Sequence, residues 1–365
     1  MACMVTFLAT IGLFVIWLLV LAGGWKPLVN SLKFMQMQSV IDRVYVGEAD
    51  SRETADAIFD AMIAGLGDRW SFYMTKDEYK AYKQAQSNRY VGLGITLQQS
   101  EKGIKILSVA ENSPAQQAGI LADTFLVEVN GVRLTDESVS EISAMIKQDP
   151  KHVAVVTADA DGNETQFELS LEQIYSNPVS YEMKAGEIGY IRMENFDETL
   201  AEEAIAAVEA LVKDGAVALV FDVRNNGGGF IDELTELLDR LLPAGEIFVA
   251  VTEEGKEKVT TSDKKCVDLP MAVLVNENSY SAAEFFAAAL QEHGAATIVG
   301  ARTTGKNRSQ TNVVLIDGSA VHISSKRYLT PNRVDLTEQG GIIPDVLVEA
   351  GENDPQLQVA LDLFH

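Results

Sequence analysis

Hydrophobic and polar positions divide this 365-residue chain into stretches of different period. From residue 4 to residue 22 nearly every side chain is apolar, and no charge precedes Lys26. A run of about 20 such residues is long enough to span a bilayer as a helix. Between residues 31 and 86 the pattern turns helical. Ile58, Met62 and Leu66, beside Phe59 and Ile63, form an apolar stripe expected to pack on the rest of the chain. A strand opens at Tyr90, where Gly92 and Gly94 flank Leu93 and on their own suggest a structural turn. Farther on, a helix over 200–213, a strand over 217–223, a glycine-rich turn and a helix over 231–242 follow one another, an α/β arrangement. An apolar strand then closes at Val275 before an alanine-rich helix, and a second apolar strand leads into residues 303–310. Strands are expected around 311–350 and a short helix over 354–364. The divisions that follow are 1–25, 26–87, 88–175, 176–350 and 351–365.

Composition narrows the functions. With 53 acidic and 29 basic residues the formal net charge is −24, which argues against nucleic acid, whose binding needs clustered Lys and Arg. It argues equally against adhesion of the soluble part to anionic lipid. Cys3 and Cys266 are the only cysteines, one of them in the apolar segment, so no internal disulfide is expected. No Cys-His cluster suggests a metal site, and no cofactor is called for. The apolar segment exceeds the 7–15 residues of a signal core. It reads as a retained anchor, with a cleaved signal as the rival because Ala22, Gly23 and Gly24 are small. Lys26, Lys33 and Arg43 all follow it, and the positive-inside rule alone would leave the body in the cytoplasm.

Candidate chemistry lies in a serine and a lysine 25 positions apart. Ser281 opens the alanine-rich helix, where orphan amides and the helix dipole favour developing negative charge. Serine needs an adjacent base. His293 sits at the far end of the same helix, His365 is the last residue, and His152 and His322 have no partner motif, so a Ser-His-Asp triad is not supported. No Gly-x-Ser-x-Gly elbow is present, and Ser262-x-x-Lys265 stands in a polar turn without companion motifs. Lys306 remains. Lysine near its reference pKa of about 10.4 is protonated, so burial must lower that value before it can accept a proton. Gly227-Gly228-Gly229 lacks the spacing and the lysine of a nucleotide loop, but exposed amides in such a turn suit an oxyanion.

These motifs, in this order, resemble the carboxyl-terminal processing peptidases, or tail-specific proteases. Ser279-x-Ser281-Ala-Ala-Glu with Gly305-Lys306-x-x-x-Gln310 carries the likeness, together with Gly67-Asp-Arg-Trp-Ser-Phe-Tyr73, Asp222-Val-Arg-Asn-Asn-Gly-Gly-Gly229 and Gly341-Ile-Ile-Pro-Asp345. The resemblance covers nearly all of the chain beyond residue 30. It implies Ser281 as nucleophile, Lys306 as general base, Gln310 holding the lysine, and the amides of Gly228 and Ala282 as oxyanion hole. It also implies an α/β, crotonase-like ββα-spiral protease core over 176–350, closed by a C-terminal helix over 351–365. Residues 88–175 look like an inserted α+β PDZ domain: Gly92, Leu93, Gly94 and Ile95 would capture a C-terminal carboxylate and add the peptide as a strand. The helical region 26–87 could mediate a homodimer, and one N-terminal transmembrane helix would precede it. Three positions depart from the family. Gly227 replaces proline, Asn307 replaces glycine, and Tyr280 replaces a small residue beside the nucleophile.

The expected function is therefore a serine endopeptidase that cleaves extracytoplasmic proteins after recognising their C-terminal tails through an acyl-enzyme. The resemblance places it at the cell membrane with the catalytic domain outside, against the positive-inside reading, or secreted if the segment is removed. A catalytically silent PDZ adaptor on a protease scaffold is the alternative. An acyl-CoA enzyme of the same fold would need a basic patch that this chain lacks.

Overall fold

The computed structural model describes Trp17, Val20 and residues 23–365, apart from 101, 253 and 264. The span expected within 1–25 lies almost wholly outside those residues. Among the described residues no helix is long and apolar enough to cross a membrane.

Helix Trp25–Val44 buries none of its side chains. Asp50 starts the next helix, Ser51–Ala64, by accepting from the amides of Arg52 and Glu53 at 2.7 and 3.2 Å, the usual way an orphan helix N–H is satisfied. Its apolar stripe packs only in part. Ile63 is buried and the Phe59 ring meets Phe34 and Tyr73, whereas Met62 and Leu66 are 70% and 57% exposed. Leu66 lies beyond the helix end, where the 3.6-residue period no longer decides which way a side chain points. The helical reading also ran too far. Phe72–Met74 is a strand, paired antiparallel with Ala320–Leu329, and three residues are too few to show their own period.

Residues 95–169 form a separate antiparallel sheet in the order Ile95–Ser100, Gly103–Val109, Phe125–Val129, Val153–Ala158, Glu164–Leu169. Helix Val139–Lys147, started by a Ser138/Glu141 capping box, buries Ile142 and Ile146 against that sheet. This unit has its own apolar cluster. It joins the rest through a two-stranded ribbon, Arg89–Gly92 against Glu172–Tyr175.

The remaining core carries two sheets. One runs Val179–Lys184, Ile188–Met193, Ala218–Asp222, Met271–Val275, Ala296–Gly300, Val346–Leu347, parallel after its first antiparallel pair. Every residue of Ala218–Asp222 and Met271–Val275 is buried, as expected of central parallel strands covered on both faces. The other sheet is built from Phe72–Met74, Ala320–Leu329, Gly245–Val251 and Glu257–Ser262, with Arg308–Val314 also on Ala320–Leu329. Helices Leu200–Lys213, Ile231–Leu241 and Ala282–Glu292 fill the main apolar cluster with both sheets. Helix Pro355–Asp362 covers the other face of the parallel sheet. The three loops that leave the carboxyl ends of Ala218–Asp222, Met271–Val275 and Ala296–Gly300 therefore emerge side by side. Open parallel sheets place their sites at that end.

Candidate active site

The first of these loops, 223–230, is laced to the second, 276–281. Asn225 N donates to Asn276 Oδ1 at 2.9 Å, and Ser279 Oγ donates to the carbonyl of Val223 at 2.7 Å. Ser281 ends the second loop at φ 59°, ψ −124°, a backbone conformation that a side-chain-bearing residue adopts only when its surroundings impose it. Gly228 is adjacent, at φ +83°; a Cβ there would stand 2.8 Å from both Ala282 N and Ser281 Cβ, so the close approach of the two turns requires glycine.

The third loop carries Lys306, and one carboxylate joins it to Ser281. Glu284, fully buried on the first turn of the helix, accepts from Ser281 N at 3.0 Å, Gly305 N at 2.7 Å and Lys306 N at 2.8 Å. The Thr303 hydroxyl is a fourth donor. Burial pushes the Glu284 carboxyl upward while these donors pull it the other way. Spacing gave no hint of this role, because Glu284 stands in the motif as an ordinary capping residue.

Lys306 is 9% exposed. Burial draws its ammonium down to about 8, Arg69 adds to the effect, and Asp68 and Glu284 oppose it. Its Nζ lies 4.5 Å from the centre of the Trp70 ring and 5.5 Å from that of Tyr280. Ser281 and Lys306 line one cavity of about 630 Å³, walled by Arg69, Phe72, Tyr82, Phe230 and Tyr328 among others.

The other expected site residues fall as follows. Gln310 lines the cavity; its amide nitrogen donates to the Arg308 carbonyl and to Ser324 Oγ, both at 3.1 Å, and among the described residues its carbonyl oxygen accepts no bond from Lys306. The strand pairing shifts register between Ser309 and Gln310. Gly228 N donates to Asn226 Oδ1 at 2.8 Å, so that amide already has an acceptor. Gly92 belongs to the ribbon rather than to the sheet of residues 95–169. Leu93 is buried, with its carbonyl accepting from Ala115 N at 2.9 Å. Gly94 stands at φ +84°, and Ile95 begins the strand at the open edge of that sheet.

Two cavity residues carried no sequence signal. His322 stacks on Phe72 at 4.6 Å and pairs through Nδ1 with Asn312 Oδ1 at 2.7 Å. Burial and then Lys306 push it down to about 4, which leaves it neutral and a weak base at neutral pH. Asp197 is pushed up to about 7, first by burial and then by Glu198 and Glu233.

Residues 187–348 match peptidase family S41, and residues 105–158 match the PDZ domain. A CtpA-like serine protease of Staphylococcus aureus is 30% identical over 325 residues, 88% of this chain and 65% of the relative. Its counterpart in Staphylococcus saprophyticus is 29% identical over 322 residues, 87% of this chain and 65% of the relative. The chain thus spans just under two thirds of the curated relatives it matches. Among solved structures, a photosystem II D1 C-terminal processing protease is similar at TM-score 0.52 and 27% identity, over 87% of this chain and 86% of that one. An S41 protease from Bacteroides fragilis reaches TM-score 0.60 at 15% identity, over 90% and 96%, a likeness of fold alone. With a PDZ match set ahead of a segment that matches peptidase family S41, the chain is similar to CtpA-like serine proteases and to a photosystem II D1 C-terminal processing protease.

Proposed function

We propose that this chain is a serine endopeptidase that binds exposed, apolar C-terminal tails in its PDZ unit and cleaves the attached protein through a Ser281–Lys306 dyad. The observation that carries the reading is Lys306, buried in the cavity of Ser281 with its pKa drawn down to about 8. A lysine so placed is partly neutral near physiological pH and able to act as a base. Neutral Lys306 takes the Ser281 proton as Oγ attacks the scissile carbonyl. The tetrahedral oxyanion is held by the amides of Gly228 and Ala282, the former exchanging Asn226 Oδ1 for the substrate oxygen. Lys306 passes its proton to the leaving amine, then deprotonates the water that hydrolyses the acyl-enzyme.

The proposed domain plan keeps the boundaries expected from the sequence, with a crotonase-like spiral core. Tail recognition uses the free edge of Ile95–Ser100 beside helix Val139–Lys147, where a peptide can add as a strand. An N-terminal anchor with the body outside the cytoplasm, and Gln310 swinging onto Lys306 when substrate binds, complete the proposal.

The test is cleavage of an unstructured protein with an apolar C-terminus from about pH 6 to 10, a range that brackets a lowered lysine pKa. Wild-type activity should rise through pH 8 and be lost in Ser281→Ala and Lys306→Ala. Full activity in either variant overturns the mechanism, and tail binding without cleavage by wild type favours the adaptor.

A further inference from the structure

A buried ammonium ordinarily rests against a carboxylate or carbonyl oxygens. The Lys306 side chain is largely buried, but its Nζ opens into the cavity: among the described residues it makes no hydrogen bond or ion pair, and the rings of Trp70 and Tyr280 are centred 4.5 and 5.5 Å from it. These rings pack on each other at 5.5 Å and arrive from distant parts of the chain. Trp70 is fixed by its turn. Asp68 accepts from Trp70 N at 3.2 Å and from Ser71 Oγ at 2.6 Å, and Ser71 Oγ accepts from Ser324 N at 3.0 Å. Tyr280 precedes the nucleophile and donates its N–H to the Asn226 carbonyl at 3.1 Å. Its ring occupies the space beside Gly227, where a Cβ would lie 2.6 Å from the Tyr280 hydroxyl. Two departures from the family motifs, Gly227 and Tyr280, are thus one spatial feature.

We infer that Trp70 and Tyr280 are positioning residues, an aromatic clamp that holds the Lys306 amine at the cavity wall and steadies its ammonium form between proton transfers. The inference rests on Lys306 being the base. A ring face attracts a cation at these distances, yet it neither accepts the proton nor occupies the nitrogen lone pair once the amine is neutral. A carboxylate in the same place would lock the proton on. The charged and titratable groups around the amine are Asp68 and Arg69 on the Trp70 turn, Glu284 on the nucleophile helix, and Arg308 and His322 on the neighbouring strands. Asp68 and Glu284 favour the ammonium, Arg69 opposes it, and His322 is neutral.

Trp70 is the only tryptophan beyond residue 25. The full chain can therefore be made with tryptophans of increasing fluorine content, which drain the ring face and barely change its size. The readout is the acid limb of kcat against pH. The limb should move to lower pH in order of fluorine number, by about half a unit in all, the size of one ring–cation contact. Tyr280→Leu should move it the same way, and Tyr280→Phe should keep it in place. An acid limb that stays put across the fluorinated series and in Tyr280→Leu overturns the clamp alone. A limb that persists in Lys306→Ala overturns the base assignment, and the clamp with it.

Discussion

Lys306 is held where its charged form is disfavoured, and that cost falls on stability as well as on chemistry. In the unfolded chain its pKa returns to about 10.5, against about 8 in the fold. The depressed native value means that between pH 8 and 10.5 the unfolded chain binds more protons, so stability rises with pH across that window. Below pH 8 the full penalty applies, roughly 3 kcal/mol at 1.36 kcal/mol per unit. Lys306→Met keeps a similar shape without the charge. It should be more stable than wild type by about 3 kcal/mol at pH 7, with the difference shrinking to near zero by pH 10.5. Urea unfolding at the two pH values decides the matter. An advantage that does not change with pH would mean that the lysine titrates alike in both states.

At the scale of elements, the turns that carry Gly228 and Ser281 depend on how their strands end. Asp222 closes strand Ala218–Asp222 and is fully buried. It accepts from the Tyr190 hydroxyl at 2.7 Å and from Arg224 Nη2 at 2.6 Å, and Arg224 reaches on to Asp354, the cap of the terminal helix. Arg224→Met removes every guanidinium bond from Arg224 to Asp222 and leaves it the Tyr190 hydroxyl, the backbone N–H of residue 224 at 3.0 Å and a 3.3 Å contact to Arg192. It should lower stability by about 3 kcal/mol, in the range for breaking a buried pair. Asp354→Asn, at a partly exposed site, should cost less than half of that; equal costs in denaturant titrations would place the important bond at the helix cap instead. Much of this architecture was legible in the chain. The helix over 200–213 has the bounds expected, and the strand over 217–223 and the helix over 231–242 fall within a residue of Ala218–Asp222 and Ile231–Leu241, whereas Gly245–Val251 and Glu257–Ser262 carry no expected bounds. Ser281 and Lys306 stood out because their chemistry needs company and their motifs lie within 25 positions. What the sequence hid was joined across distance. Glu284 binds a loop 20 residues away, Trp70 covers a lysine more than 200 positions on, and His322 enters the cavity through a strand pairing that no local pattern encodes. Gly227 and Tyr280 were each visible as departures, but that one makes room for the other is a fact of packing.

The whole molecule joins two separately packed units through a narrow ribbon, and the ribbon is rooted beside the turn that carries Gly228. At its base Asn88 is buried. Asn88 Nδ2 donates to the Glu198 carbonyl at 2.8 Å, and Asn195 Nδ2 donates to Asn88 Oδ1 at 2.7 Å. Between those partners lies Phe196, which donates its N–H to the Gly228 carbonyl at 2.8 Å and accepts from Phe230 N at 2.6 Å. One short segment, 195–198, therefore touches both the root of the PDZ ribbon and the turn proposed to hold the oxyanion. Strain or displacement of the ribbon on tail binding has a bonded path to that turn, because packed segments shift as units rather than deform continuously. Asn88→Ala removes the root bonds without touching the peptide groove or the dyad. Leaving Asn195 Nδ2 and the Glu198 carbonyl unpaired should cost about 1–3 kcal/mol of stability. If the path carries the coupling, kcat for tail-bearing substrates should fall by roughly tenfold or more as the turn loses its registration. The affinity of an isolated tail peptide, measured by calorimetry, should stay at the wild-type value. Unchanged kcat in a folded Asn88→Ala protein would mean that the two units communicate by some other route, and equal losses in kcat and in tail affinity would mean that the ribbon shapes the groove itself.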